Sequence, residues 1–465
     1  MEVCVVGTGY VGLVTGTCLA YLGRSVTCVD IDERKIQMLQ DGQSPIYEPG
    51  LQQLMATAQQ RGLLHFSTNL DAAVKKAEVI FIAVGTPPLP SGRANLAAVE
   101  AVARGVGRAL DCSRLRVIVN KSTVPIGSGN WVEMLIKEGL SENQAYQAQR
   151  TSGLKSEDLF LVASNPEFLR EGSAITDTLY PDRIVLGATA PQAIERLRAL
   201  YEPIIEQTFS PPTSAPRPVG FTAVPVITTD LASAEMIKYA ANAFLATKIS
   251  FANEMANICE RVGADINEVV RGVGLDNRIG PRFLNAGVGW GGSCFGKDVS
   301  ALIDIAHEYS FEPLLLRSTV EVNRRQRQVA VQKLQETLKI IKGKTIGLLG
   351  LAFKPETDDL RDAPALTIAR QLLEMGARVK AYDPIANEAC HQQYADLKIE
   401  YARNAVELAA DCDAVVVVTE WEEFRQLDLN QLAEVMRSKV LIDGRNVLDR
   451  EAVRRAGFKY RGIGR

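Results

Sequence analysis

Val3-Cys4-Val5-Val6-Gly7-Thr8-Gly9-Tyr10-Val11-Gly12 is the stretch that decides the fold. An apolar run of strand character meets glycines at Gly-x-Gly-x-x-Gly spacing, and a helical pattern follows through Leu22. That spacing alone is weak. Here it follows a strand, opens a helix, and is answered by Asp30 at the end of the next strand-like run, 25–29. This is the context of a dinucleotide-binding βαβ unit. In such a unit Gly7, Gly9 and Gly12 make the turn, admit the pyrophosphate and allow close helix packing, while the helix N-terminus at Tyr10 and Val11 attracts the phosphates. The spacing makes Asp30 an acceptor for the adenosine ribose, and a carboxylate there repels a 2′-phosphate, so NAD is expected rather than NADP. Lys35, in the following helix, has two readings: a ribose neighbour and a solvated surface lysine.

The alternation continues outward. Residues 79–84, 115–119, 160–162 and 183–186 are further short apolar runs separated by helical patterns, the mark of a parallel α/β sheet. The pattern breaks at Pro211-Pro212-Thr213-Ser214-Ala215-Pro216-Arg217-Pro218, which reads as a loop. From 229 to 261 a helical pattern runs without Gly or Pro behind the capping residues Thr228-Thr229-Asp230, and helices dominate to residue 338. The α/β pattern restarts at Lys344, with strands predicted at 345–350, 379–384, 414–418 and 440–443. The expected fold is α/β: two Rossmann-like doubly wound domains joined by a central helical domain with a long spine helix, divided as 1–207, 208–326 and 327–465.

At 465 residues, 46% hydrophobic and 23% charged, the composition supports several sizeable cores. A net charge of −3 argues against general nucleic-acid binding, yet a few local Arg and Lys suffice for an anionic small substrate. The eight cysteines are scattered without metal-ligand spacing, so no metal is expected. No apolar run approaches the ~20 residues of a membrane span, and no basic n-region precedes the first strand. A cytoplasmic protein with reduced cysteines is expected.

The reactive candidate is Gly291-Gly292-Ser293-Cys294-Phe295-Gly296-Lys297-Asp298. A thiol is a nucleophile only as thiolate, which nearby positive charge or a helix N-terminus favours. Glycines let the backbone approach a ligand closely. Cys294 therefore reads as a reagent, and beside a nicotinamide it suggests oxidation past the aldehyde to the acid. Thiolate addition to an aldehyde gives a tetrahedral species able to lose a second hydride, and the resulting thioester is then hydrolysed. His65, His307 and His391 are the only histidines and fall in no motif, so lysine and carboxylates must carry the proton work. Lys238 and Asn242 lie four apart in the long helical pattern, hence on one face, and Asp298 lies one turn beyond Cys294 if a helix starts there.

Gly7 to Gly12, Gly85-Thr86-Pro87, Lys121-Ser122-Thr123-Val124-Pro125, Asn165-Pro166-Glu167-Phe168-Leu169-Arg170-Glu171-Gly172, Ala240-Ala241-Asn242-Ala243-Phe244 and Gly291 to Asp298 occur in that order. Over almost the whole chain they resemble the UDP-glucose/GDP-mannose dehydrogenase family, and most of all its members that oxidise UDP-glucose. The resemblance implies an NAD domain, a helical dimer-forming middle and a C-terminal nucleotide-sugar domain, in a homodimer or higher homo-oligomer. It implies that Lys238 stabilises an alkoxide or oxyanion with Asn242 beside it, that Asp298 joins Lys238 in a water-linked base system, that Thr123 binds a catalytic water and that Glu167 assists thioester hydrolysis. Thr86, Thr123, Glu171, Lys297 and Arg361 are implied at the cofactor. Glu167, Phe168, Leu169, Lys238, Asn242, Phe283, Gly287, Gly291, Lys354 and Arg445 are implied at UDP-glucose, with Arg278 reaching the neighbouring subunit's site. Ser293 stands where a branch acting on N-acetylated sugars usually has histidine, which argues against that branch. The stretches 141–156 and 210–224 are expected to be surface insertions.

Plainer readings stand beside these. Lys238 and Asn242 fit a solvated helix face, Asp298 a helix cap, Thr123 and Asn165-Pro166-Glu167 a turn, and Arg361, beside Asp358, Asp359 and Asp362, a surface ion pair. Gly347-x-x-Gly350 is an incomplete fingerprint, so a nucleotide-sugar site is expected there rather than a second NAD site. The competing functions are the same chemistry on GDP-mannose, a non-catalytic NAD-binding redox sensor reporting through Cys294, and a two-electron dehydrogenase of the 6-phosphogluconate type that needs no cysteine.

Overall fold

The computed structural model describes residues 1–87, 89 and 94–465, and the chain divides into two compact units, Met1–Ala240 and Ala241–Arg465. The first unit is built on β1 (Glu2–Val6), β2 (Ser25–Val29), β3 (Leu64–Ser67), β4 (Val79–Ile82), β5 (Arg116–Asn120), β6 (Phe160–Ser164), β7 (Ile184–Ala188) and β8 (Val226–Thr229). They form one sheet in the order β3-β2-β1-β4-β5-β6-β7-β8. The first six follow the dinucleotide-binding order and are parallel; β7 runs antiparallel to β6. Successive residues of a strand point to opposite faces, so Val3 and Val5 enter one core and Cys4 and Val6 the other. Burial on both faces is why these strands read as continuous apolar runs. Val6 pairs with Val29, which sets the Gly7 turn beside Asp30.

The second unit repeats the order of the first six strands. Strands β9 (Thr345–Leu349), β10 (Arg378–Tyr382), β11 (Ile399–Tyr401), β12 (Ala414–Val417), β13 (Val440–Asp443) and β14 (Lys459–Gly462) lie in the order β11-β10-β9-β12-β13-β14, all parallel. Helices Ile266–Gly274, Phe295–Glu308 and Leu314–Leu338 precede them. The chain is thus α/β, with two Rossmann-like sheets and a long central helix, as expected.

That helix, Leu231–Val262, has 32 residues, about 48 Å at the α-helical rise. Asp230 caps it, accepting the Ser233 amide at 2.8 Å and its hydroxyl at 2.7 Å. Residues 231–240 belong to the first unit and the rest to the second.

Two readings change. Strands β3, β8, β11 and β14 lie outside the predicted runs. The 210–224 stretch is more than a surface insertion: Ala215 and Val224 are buried in the first unit's core, and Phe209 and Phe221 pack on Tyr180 at ring distances of 5.8 Å. Among the described residues no helix is long and apolar enough to cross a membrane.

Candidate active site

The first glycine turn is shaped for a ligand. Gly7 has φ +103°, and a Cβ there would lie 2.7 Å from the Ala83 carbonyl oxygen; a Cβ on Gly12 would lie 1.9 Å from that of Gly7. Gly9 has nothing within 4 Å of its Cβ position, so its backbone is bare on that side. Gly9 caps the Tyr10–Tyr21 helix without a side-chain acceptor or an acidic first turn, leaving the first amides of Tyr10 and Val11 to an anion. Asp30 accepts the Thr8 amide at 2.8 Å and hydroxyl at 2.7 Å on one oxygen and the Asp32 amide at 3.1 Å on the other, with Lys35 at 3.6 Å. Burial acts to raise its pKa, but the Thr8 and Asp32 bonds and the Lys35 charge outweigh it and hold the carboxyl below its usual range. These residues fit NAD. Thr86 donates to the Thr123 carbonyl at 2.8 Å, joining the loops after β4 and β5. The Tyr10 hydroxyl bonds to Glu48, a buried carboxylate absent from the sequence reading, which also accepts the Gly172 and Ala174 amides at 2.7 Å each and so fixes the turn carrying Glu171.

Behind that turn the first unit holds a buried ionic cluster. Lys238 Nζ donates to Glu167 Oε1 at 2.9 Å, and the Leu169 amide donates to Oε2 at 2.8 Å. Burial acts to raise the Glu167 pKa; the Lys238 ion pair, the Leu169 amide and the Lys121 charge win, keeping it below the usual carboxylate range. Phe168 lies under two cations, the Arg183 guanidinium 3.7 Å and the Lys238 amine 5.5 Å from its ring centre. Lys121, buried, donates to Asn165 Oδ1 at 3.0 Å, and burial with the Lys238 charge pushes its pKa down to about 8 against the pull of Glu167. Lys121, Thr123, Ser164, Pro166, Glu235 and Lys238 line one small cleft. Lys121, Arg183 and Glu235 were not foreseen. For Lys121 the signal was available: it opens Lys-Ser-Thr-Val-Pro immediately after an all-buried strand.

In the second unit Cys294 caps the Phe295–Glu308 helix, and the Asp298 amide donates to its carbonyl at 2.8 Å, so Asp298 lies one turn on. Cys294 is exposed, whereas six of the other cysteines are buried and Cys112 is intermediate. Its loop is held from behind: a Cβ on Gly291 would lie 2.3 Å from the Asp362 carbonyl, and Gly292, at φ +85°, would touch the Phe353 ring at 2.7 Å. Arg327 secures that support, donating to both Asp362 oxygens at 2.6 and 2.7 Å and to the Trp290 carbonyl at 2.8 Å. Asp298 is buried and accepts Asn242 Nδ2 at 2.6 Å and Lys297 Nζ at 2.8 Å. Arg445 donates to the Val418 carbonyl at 2.7 Å and the Gly289 carbonyl at 3.2 Å, and Gly287 packs on Gly444. Phe283, at φ +64°, meets Phe295 edge-on at 6.3 Å, and Lys354 lies 5.6 Å from the Phe353 ring centre. Arg361 pairs with Asp359 at 2.7 Å and Arg278 with Asp276 at 2.6 Å, both on exposed turns. The predicted residues thus gather into a Lys238–Glu167–Phe168 set in the first unit and a Cys294–Asp298–Asn242–Lys297 set in the second, with Arg278 and Arg361 in local ion pairs.

Residues 1–205, 232–325 and 347–450 match, in order, the NAD binding domain, the central domain and the UDP binding domain of the UDP-glucose/GDP-mannose dehydrogenase family. The chain is 45% identical over 464 residues to UDP-glucose 6-dehydrogenase TuaD of Bacillus subtilis, covering 100% of this chain and 93% of that one. It is 43% identical over 467 residues to UDP-glucose 6-dehydrogenase of Rhizobium meliloti, covering 100% of each. Among solved structures it is similar to a UDP-glucose dehydrogenase from the hyperthermophilic archaeon Pyrobaculum islandicum, with a TM-score of 0.86, 38% identity and coverage of 100% and 97%.

Proposed function

The chain belongs to the UDP-glucose/GDP-mannose dehydrogenase family, and from that premise we propose that it oxidises the primary alcohol of UDP-glucose to the carboxylate of UDP-glucuronate through a thiol ester on Cys294. The observation that carries this reading is the exposed Cys294 thiol at a helix N-terminus, beside the Lys297–Asp298–Asn242 cluster. NAD, bound at the Gly7–Gly12 turn, supplies the hydride acceptor for each of two oxidations. The chain's residues do the rest. Lys238, held by Glu167 at 2.9 Å, favours the anionic oxygen that forms on the substrate. The Cys294 thiolate adds to the aldehyde carbon to give a thiohemiacetal, and oxidation of that adduct gives the thioester. Water attacks the thioester, releasing the acid and returning the thiol. Thr123 and Glu167 orient that water, and Asp298 takes up its proton. Covalent capture also keeps the aldehyde from escaping.

We assign 1–207 to NAD, 208–326 to subunit contact and 327–465 to the nucleotide sugar, with Arg445 and Lys354 meeting the substrate and Arg361 the cofactor. A homodimer is supported by an apolar stripe in the second unit. Phe244, Phe251 and Ile258 recur at seven-residue spacing on the long helix and are 65%, 48% and 46% exposed, and Val262 and Leu275 are more exposed still. Arg278, on an exposed turn, is then the residue offered to the neighbouring subunit.

The test is NADH formed per UDP-glucose consumed, with GDP-mannose as the control sugar. Two per UDP-glucose, with Cys294→Ser forming no acid, supports the reading. One per sugar refutes the thioester. Turnover of GDP-mannose in preference overturns the substrate, and NAD binding without turnover leaves the redox-sensor reading in its place.

A further inference from the structure

The run that leads into the Cys294 loop is met by buried polar side chains that the proposed chemistry leaves unused. Asn253 on the long helix and Asn323 and Gln326 on the Leu314–Leu338 helix are all buried. Burying a side-chain amide is costly unless it is hydrogen-bonded, so packed helices ordinarily meet through apolar residues. Here the amides turn to the main chain of 287–290. Gly287 donates its amide to Asn253 Oδ1 at 2.8 Å, and its carbonyl accepts Gln326 Nε2 at 2.7 Å. Trp290 donates its amide to Asn323 Oδ1 at 2.8 Å, and its carbonyl accepts Asn323 Nδ2 at 3.0 Å. The backbone finds in side chains the partners that a neighbouring strand would otherwise supply.

The Asn323 contact differs from the others because one side chain takes both polar groups of one residue. Gly289 admits it: at φ +97°, a Cβ there would lie 2.7 Å from Asn323 Oδ1. The Trp290 side chain is fixed as well. Its indole donates to Ser250 Oγ at 3.0 Å, and its ring sits in a small core with Ala243, Ala246 and Val299. On the far side of the loop, the Phe295 ring meets the Trp290 ring edge-on at 6.0 Å. Gly291, Gly292, Ser293 and Cys294 therefore span two residues that touch each other. Glycines restrict the backbone least, so the place of the Cys294 thiol is inherited from Trp290.

We propose that Asn323 is a positioning residue for Cys294: its side-chain amide fixes the peptide groups on either side of Trp290 and so places the thiol to capture the aldehyde. The inference rests on the proposed thioester chemistry and extends it to a residue on a helix behind the loop. It has a specific signature. The first oxidation makes no use of Cys294, whereas capture needs its sulfur at the aldehyde carbon. A misplaced thiol therefore shows as aldehyde released, not as equal loss of both steps.

Three variants test this. Asn323→Leu keeps the size and loses both bonds. Asn323→Asp keeps the acceptor for the Trp290 amide and loses the donor to its carbonyl, which Arg327 still serves at 2.8 Å. Thr319→Val is the control. Its hydroxyl, one turn earlier on the same helix, bonds to Thr247 and to the Leu315 carbonyl at 3.0 Å each, joining the same two helices without touching the loop. Two quantities are measured: hydrogen exchange of the peptide covering 287–294, and the products from UDP-glucose and NAD with semicarbazide present to trap free aldehyde. In Asn323→Leu the exchange is expected to be about 10-fold faster, the worth of the lost bonds. Acid formation is expected to fall about 10–100-fold, the cost of a displacement near 1 Å, while semicarbazone accumulates. Asn323→Asp should lie between Asn323→Leu and wild type, and Thr319→Val should match wild type in both. Unchanged exchange overturns the proposal. So does faster exchange with an unchanged product ratio, equal loss of both oxidations, or a Thr319→Val that behaves as Asn323→Leu does. If Asn323→Leu does not fold, Asn323→Asp decides by the same criteria. A wild type that yields one NADH and free aldehyde removes the thioester and the capture role with it, while the exchange result still decides whether Asn323 orders the loop. Two NADH in wild type with an unaltered product ratio in Asn323→Leu leaves the proposed function standing and overturns this inference alone.

Discussion

Glu235→Gln tests how burial and hydrogen bonding compete in the first unit. Glu235 is 4% exposed and bridges the long helix to the start of the Ser128–Ser141 helix: its two oxygens accept the Gly127 amide at 2.6 Å and the Gly129 amide at 2.9 Å. Two effects oppose each other. Burial penalises the charged form, whereas the amides at a helix N-terminus, Ser128 among them, favour it. Burial wins, with a small contribution from Asp230, and pushes the pKa from 4.5 up to about 7. The folded state therefore holds this proton more tightly than the unfolded state does, so the group's stabilisation is full below pH 4.5 and is lost as pH rises through about 7. Between pH 5 and pH 8 that loss is about 2–3 kcal/mol. Gln has the shape of the protonated acid and does not titrate. At pH 5 the variant should match the wild type to within about 1 kcal/mol, the worth of one hydrogen bond. By pH 8 the difference should have moved 2–3 kcal/mol in the variant's favour, again about the linkage value. The assay is urea denaturation at pH 5, 6, 7 and 8, read by hydrogen-exchange protection of peptides from the Ser128–Ser141 helix. Titrations common to both proteins cancel in the difference. A flat difference refutes the reasoning, and a difference moving toward the wild type as pH rises shows that the three amides outweigh burial.

Two further outcomes follow from the geometry. Asp30→Asn keeps the size of the side chain but loses a charged acceptor, so NAD should bind about 10–100-fold more weakly by calorimetry, the range for hydrogen bonds to charged groups; unchanged affinity would show that the ribose does not meet Asp30. Phe251→Glu places a charge in the centre of the apolar stripe and should convert the proposed dimer to monomer in sedimentation velocity, and an assembly that survives it uses another face.

What the sequence disclosed, and what it hid, divides along physical lines. The predicted strands are those buried on both faces, such as β4 and β5, where every residue is enclosed. The four that escaped, β3, β8, β11 and β14, are the two edges of each sheet. Edge strands are half solvated, and β8 and β11 contain no fully buried residue, so no apolar run marks them. The same division governs the site. A glycine turn is local: the geometry of Gly7, Gly9 and Gly12 follows from neighbours in the chain, and so the cofactor end was legible. The ionic cluster is not local. Lys238 meets Glu167 across 71 residues and Lys121 meets Asn165 across 44, and whether a lysine is buried depends on what the fold lays over it. Resemblance supplied Lys238 and Glu167 with roles, whereas Lys121 was visible only as the opening of the Lys-Ser-Thr-Val-Pro run after a buried strand, without a partner or a role. The second sheet shows why strand order alone does not settle chemistry. Asp383 ends β10 as Asp30 ends β2, yet it is buried and already accepts the Leu351, Ala352, Ile385 and Ala386 amides and the Trp421 indole. A Cβ on Gly350 would lie 2.3 Å from Thr419, and the next helix begins only at Pro364. That turn has no helix N-terminus to offer a pyrophosphate. Two sheets with one topology therefore present different ligand chemistry, and the difference lies in where the first helix starts after the glycine.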